Sequence, residues 1–194
     1  IMGPEVFELE EKLSNYVGIK HAISCSSGTD ALLMSLMAYD IGPGDYVITT
    51  PFTFISTAEV VALLGAKPVF IDIDENTYNI SPQKIREFLN NPVDPANGKE
   101  INHKNIKGII AVDIFGLPAD YEKINNIAKE YNMFVIEDAA QSFGAEFKGR
   151  KACSLSDIGC TSFFPSKPLG CYGDGGMIFT DNDDLAEILR SIRV

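Results

Sequence analysis

No apolar run in this 194-residue chain approaches the roughly 20 residues that would cross a bilayer, which argues against a membrane-spanning helix. Positive charge is also in short supply: 16 lysines and arginines stand against 27 aspartates and glutamates, a formal net charge of −11. A surface this acidic argues against nucleic acid or an anionic membrane as partner, although backbone amides can bind a phosphate without any lysine. The cysteines Cys25, Cys153, Cys160 and Cys171 show no C-x-x-C spacing, so reduced structural thiols in a cytoplasmic protein are expected. The two histidines, His21 and His103, fall in no metal-ligand pattern, and no metal is expected. Internal repeats and low-complexity segments are missing too.

What the chain does have is 45% hydrophobic residues, enough for one α/β domain with a sizeable core. Val6, Leu9, Leu13 and Tyr16 recur at helical spacing and predict a helix over 5–17 with those four inward. Apolar strands are expected at "AISC" (22–25), "YVITT" (46–50), "KPVFIDI" (67–73), "KGIIAVDIF" (107–115) and "MFVIED" (133–138). Helices are expected between them, over 28–39, over 57–65, after a Ser81 N-cap with Pro82 in the first turn, and along Tyr121, Ile124, Ile127 and Tyr131. Near-continuous apolar strands alternating with helices predict a mostly parallel sheet covered on both faces. The polar, turn-rich stretch 91–105 reads as an exposed excursion. From 157 the pattern changes to two strands, "DIGCTSFF" and "GGMIFT", without a helix between them. A final helix starts near Asn182, with Leu185, Ile188, Leu189 and Ile192 inward.

In such a sheet ligands gather beyond the C-terminal strand ends, and four loops there carry chemistry. "SSGTDAL" (26–32) puts small residues at a strand-to-helix turn, where free N–H groups and the helix dipole favour an anion; a plain N-cap by Ser27 or Thr29 reads the same stretch without a ligand. It matches neither the P-loop ending nor the dinucleotide glycine pattern. In "EDAAQSFGA" (137–145), Asp138 follows an apolar run, and a carboxylate emerging there needs a cation or several hydrogen bonds, or is a helix cap. "TPFTFIST" (50–57) sets Phe52 and Phe54 around Thr53, as core or as a platform for a flat ring. "SFFPSKPLGCYGDGG" (162–176) holds Lys167 between two prolines, away from other cations, with Ser162 five residues ahead. One ligand answers all four loops: anionic at one end, cationic at another, flat, and reactive toward an amine. Pyridoxal 5′-phosphate has these properties.

In this order, "SGTDAL", "TPFTFISTAE", "VIEDAAQSFGA" and "SFFPSKPLGCYGDGG" resemble the sugar aminotransferases of the DegT/DnrJ type, nearly end to end. These are fold-type-I enzymes that use pyridoxal phosphate to aminate nucleotide-linked keto-sugars. "PSKPLGCYGDGG" and the opening "IMGPEV" look most like the members acting on a UDP-linked 3-keto N-acetylhexosaminuronate. The resemblance implies that Lys167 is the Schiff-base lysine and that Asp138 faces the pyridine nitrogen. It implies Gln141 beside the ring hydroxyl, Phe54 on the ring face, and Gly28, Thr29 and Ser162 at the phosphate. Family members with histidine in place of the lysine dehydrate instead, so lysine points to transamination, with glutamate as the expected amino donor and the product destined for surface glycan.

The resemblance further implies a homodimer with shared sites, an earlier N-terminal segment, and a small C-terminal domain after Val194. The whole of 1–194 is then expected to be the large cofactor domain. A pyridoxal-phosphate sensor without turnover, or a non-catalytic fragment, are the competing readings.

Overall fold

Side chains of a strand point alternately to opposite faces, so strands apolar on both faces need cover on both. The computed structural model, which describes residues 2–194, meets that demand with one seven-stranded sheet between two helical layers; Ile1, the first residue of the "IMGPEV" stretch and of the 1–194 span, lies outside the described residues. Along β4 (Ile106–Val112), Ile109 and Ala111 enter one core and Ile110 the other. The same split separates Ile48 from Val47 on β2 (Tyr46–Thr49) and Val135 from Ile136 on β5 (Phe134–Asp138). One face is covered by α1 (Pro4–Val17), α4 (Pro82–Asn90) and α5 (Tyr121–Tyr131). The other is covered by α2 (Gly28–Ala38), α3 (Ser56–Leu63) and α6 (Asp183–Ile192).

The remaining strands are β1 (His21–Cys25), β3 (Lys67–Phe70), β8 (Ile158–Ser162) and β9 (Gly176–Thr180), with a separate hairpin of β6 (Glu146–Phe147) and β7 (Arg150–Lys151). The order is β1-β9-β8-β5-β4-β2-β3, with every neighbouring pair from β8 to β3 parallel and β9 antiparallel to both β8 and β1. The C-terminal ends of β1, β2, β4, β5 and β8 therefore share one edge of the sheet, where β9 begins. Every loop singled out from the sequence opens onto that edge.

Helix starts follow the sequence signals. Ser81 accepts from the Lys84 N–H, Asp120 from that of Lys123 and Asn182 from that of Leu185. All four cysteines are free thiols.

Five details differ from the sequence expectation. On α1 the buried residues are Leu13 and Val17, whereas Leu9 and Tyr16 are exposed, because the helix leans on the sheet only through its C-terminal half. Tyr16 instead stacks on Phe143 with ring centroids 5.6 Å apart. On α6, Ala186 and Leu189 are buried and Ile188 is exposed. β3 stops at Phe70, as befits an edge strand carrying Pro68, and Ile73 makes only an isolated bridge to Ile80. The β6–β7 hairpin turns on Lys148 and Gly149, both at positive φ, without the Asn-Gly signal that would have announced it.

Lastly, the 91–105 excursion is not simply exposed: Asp94 and Ile101 are buried. The Asp94 carboxylate accepts from Lys67 Nζ at 2.8 Å, the Ala96 N–H at 2.9 Å, the Tyr46 hydroxyl at 2.9 Å and Asn97 Nδ2 at 3.0 Å, pinning the excursion to the starts of β2 and β3. Lys67, with the Ala96 and Tyr46 donors, holds the Asp94 carboxyl down to about 2. A carboxyl lowered on folding stabilises above its unfolded pKa of about 3.9, and that gain is lost as pH falls through the folded value. Asp94→Asn should therefore lower the thermal midpoint at pH 7, with the gap from wild type closing as pH falls from 4 toward 2. A pH-independent gap in calorimetry would show that packing, not charge, anchors the excursion.

Candidate active site

The anion-binding end starts from Ser27. Its hydroxyl accepts from the Asp30 N–H at 3.0 Å and its carbonyl from that of Ala31 at 3.0 Å, which caps α2. The cap uses neither the Gly28 nor the Thr29 amide, and both residues line the cavity at the sheet edge. Gly28 is required by close approach: a Cβ there would stand 2.7 Å from the Cβ of Ser162. The absent side chain lets the helix start meet the end of β8, so amide and hydroxyl donors converge.

Asp138 ends β5 only 6% exposed. One carboxylate oxygen accepts from Thr57 Oγ1 at 2.9 Å and the other from the Ala140 N–H at a long 3.3 Å. Burial pushes its pKa up, opposed by those two donors and by the positive charge of Lys167. Behind it lies Asp113, after β4 and fully buried, which accepts from Ser142 Oγ at 2.7 Å, Tyr121 Oη at 2.8 Å and the Ala119 N–H at 2.9 Å. The Asp113 N–H donates to the Asp138 carbonyl at 3.1 Å. A third buried acid, Glu137, accepts from the N–H groups of Cys153 at 2.6 Å and Leu155 at 2.9 Å. The end of β5 is thus a polar knot in an apolar interior, hydrogen-bonded mainly by neutral donors.

Lys167 sits half-buried on the loop after β8, where its N–H donates to the Phe164 carbonyl at 2.8 Å. Among the described residues its amine forms no salt bridge. Phe54, 70% exposed, and Gln141 complete the set. All seven residues expected from the sequence, Gly28, Thr29, Phe54, Asp138, Gln141, Ser162 and Lys167, line one cavity of about 440 Å³. Phe52 does not line it; its ring joins those of Tyr78 and Phe115 in an exposed cluster with centroids 5.6–6.0 Å apart.

Sequence reading missed Asp113, Thr53 and Thr57. The signal for Asp113 was there, since it follows the apolar run of β4 as Asp138 follows that of β5. The two threonines carried only their i, i+4 spacing.

Asp113 is raised to about 6, by burial first and by the Asp138 charge, against its Ala119, Ser142 and Tyr121 donors. A carboxyl raised on folding stabilises the fold below its unfolded pKa, and that contribution is lost as pH rises through about 6. Asp113→Asn should therefore gain thermal stability relative to wild type as pH is raised from 4 to 7. A difference that stays flat over that range would contradict the charge assignment.

The chain has close counterparts. The model of the DegT/DnrJ/EryC1/StrS aminotransferase family matches residues 1–194. A UDP-2-acetamido-2-deoxy-3-oxo-D-glucuronate aminotransferase of Pseudomonas aeruginosa is 55% identical over 192 residues, covering 99% of this chain and 50% of that protein. The crystal structure of a DegT DnrJ EryC1 StrS aminotransferase from Brucella abortus superposes with a TM-score of 0.90 at 46% identity, covering 99% of this chain and 50% of that one. The structure of NtdA from Bacillus subtilis with bound cofactor PMP superposes with a TM-score of 0.84 at 35% identity, covering 97% and 39%. The chain spans about half the length of the curated relatives it matches.

Proposed function

This chain belongs to the DegT/DnrJ/EryC1/StrS aminotransferase family, and we propose that residues 1–194 form the cofactor-binding domain of an enzyme that moves an amino group from an amino acid to a nucleotide-linked keto-sugar. The α/β architecture is that of the fold-type-I aminotransferases, and the family's cofactor is pyridoxal phosphate. The observation that carries the reading is the convergence of Lys167, Asp138 and the α2 N-terminus on one cavity. The cavity suits the cofactor on three counts. Among the described residues Asp138 is buried without a salt bridge and the Lys167 amine forms none with an acid, and Gly28 leaves room at the helix start.

When bound, pyridoxal phosphate supplies an aldehyde that condenses with amines and a ring that takes up the electron pair left when a C–H bond breaks. We assign Lys167 as the amine that would hold the aldehyde and whose freed Nζ would serve as the proton carrier of the site. Asp138 would keep a proton on the ring nitrogen, since a buried carboxylate opposed by burial gains from a cation beside it. The Gly28 and Thr29 amides with the Ser162 hydroxyl bind the phosphate, Gln141 orients the ring hydroxyl, and Phe54 covers a ring face and excludes water. The Pseudomonas relative supports a UDP-linked 3-keto N-acetylhexosaminuronate as substrate, and glutamate is the proposed donor.

We assign the assembly as a homodimer. Phe52, Phe54, Ile55, Leu63 and Phe115 are exposed near the cavity or on the adjoining helix, an apolar surface that a second copy would cover. Free cysteines, and the lack among the described residues of a helix long and apolar enough to cross a membrane, support a cytoplasmic setting.

Full-length protein incubated with pyridoxal phosphate should show a visible band that borohydride fixes as a lysine adduct, and mass spectrometry should place it on Lys167. An adduct at another lysine sinks the assignment. Asp138→Asn should lower amination about a hundredfold or more. Its thermal midpoint should stay near wild type; full activity in this variant would remove the ring-nitrogen role.

A further inference from the structure

We propose that Thr57 is a positioning residue of this site: its hydroxyl fixes the orientation and charge state of Asp138 and, through Thr53, ties that carboxylate to the loop bearing Phe54. The link to catalysis rests on the cofactor reading above; the link to Asp138 rests on geometry alone.

The geometry begins with valence. A hydroxyl has one proton, and an ionised carboxylate can only accept. Thr57 Oγ1 lies 2.9 Å from Asp138 Oδ2 and 2.9 Å from Thr53 Oγ1. With Asp138 charged, Thr57 must donate to it and must accept from Thr53, so the direction of both bonds is forced. A proton on Oδ2 of Asp138 reverses the chain: the carboxyl then donates to Thr57, Thr57 to Thr53, and the Thr53 proton is turned away toward the cavity that Thr53 lines. The state of a buried carboxyl is thereby expressed at the cavity wall beside Phe54.

Burial makes the first bond hard to replace. Thr57 is fully buried in the first turn of α3, and its N–H donates to the Phe54 carbonyl at 3.2 Å. Water cannot easily take over from a lost hydroxyl there, and Asp138 would keep only its long bond to Ala140. Titratable groups reach Asp138 from several elements: Lys167 after β8, Asp113 after β4, Tyr121 on α5, and the thiols of Cys153 and of Cys160 on β8; Glu137 adjoins it on β5 with its carboxylate on the Cys153 and Leu155 amides. Asp174, before β9, lines the same cavity. Of these only Lys167 carries positive charge, so a neutral donor is the main device opposing burial; the Thr57 bond is the largest influence holding the Asp138 pKa down.

The test uses full-length protein and the variants Thr57→Val, Thr57→Ser and Thr53→Val. Carbon-13 NMR of aspartate-labelled, cofactor-free protein reads the Asp138 titration directly. The midpoint should rise in Thr57→Val, return in Thr57→Ser, and rise by less in Thr53→Val. Pyridoxal phosphate affinity at pH 7, read by absorbance, should fall about tenfold in Thr57→Val and recover in Thr57→Ser. The acidic limb of the amination profile should move to higher pH in step with the midpoint.

An unchanged Asp138 midpoint in Thr57→Val overturns the proposal, as does a Thr57→Ser variant that behaves like valine. Should Thr57→Val not fold, Thr53→Val at its half-buried cavity position still decides, and an unmoved midpoint there counts against the chain. Failure of wild-type protein to bind pyridoxal phosphate would sink the cofactor reading instead, while the titration still decides the role of Thr57 toward Asp138.

Discussion

A carboxylate in an apolar interior must be paired, hydrogen-bonded or neutral, and the architecture of this site follows from how that demand is met at Asp138. The residue ends a strand buried on both faces, so its carboxyl emerges from a low-dielectric wall rather than from solvent. Asp113 and Glu137 stand behind it, and burial pushes both carboxyls up toward their neutral forms. None of the three has a salt bridge among the described residues. Hydroxyls of Thr57, Ser142 and Tyr121, and amides of Ala119, Ala140, Cys153 and Leu155, take that place. Neutral donors ease the burial of a carboxylate without cancelling its charge, and Asp138 presents that charge to the cavity it lines.

The same demand explains why the site residues come from so many parts of the chain. A parallel sheet sends every strand's C-terminal end to one edge, and five strands here deliver a loop to it. The edge gathers amides after β1, a hydroxyl pair and an aromatic ring after β2, a carboxylate at the end of β5 and an amine after β8, with Asp113 buried after β4 behind the cavity. The site is thus assembled by topology and then tightened by contacts such as the one Gly28 permits with Ser162.

How much of this the sequence discloses depends on the range of the physics. Strand and helix alternation is written in local periodicity, and the two-faced sheet could be read from the runs at 107–112 and 133–138. Lys167, Asp138 and the 27–29 turn stood out because each breaks its local context. Thr57 and Asp94 did not, for their importance comes from partners distant in the chain: Asp138 for one, Tyr46 and Lys67 for the other. The inward face of α1 was misjudged for a related reason, since periodicity gives a stripe but not which part of it meets the sheet.

The antiparallel placement of β9 bears on the order in which the molecule is completed. Among the described residues β1 pairs with β9 alone, which joins it to the rest of the sheet. Gly176, the first residue of β9, lies so close to Ser27 that a Cβ there would be 2.3 Å from the Ser27 carbonyl oxygen. The turn at 27–29 is therefore braced by residues made near the end of this stretch of chain. Long-range pairing of this kind is slow to form, because a large loop must close before any contact rewards it. Among the described residues, the anion-binding corner thus depends on the longest-range strand pairing in the sheet.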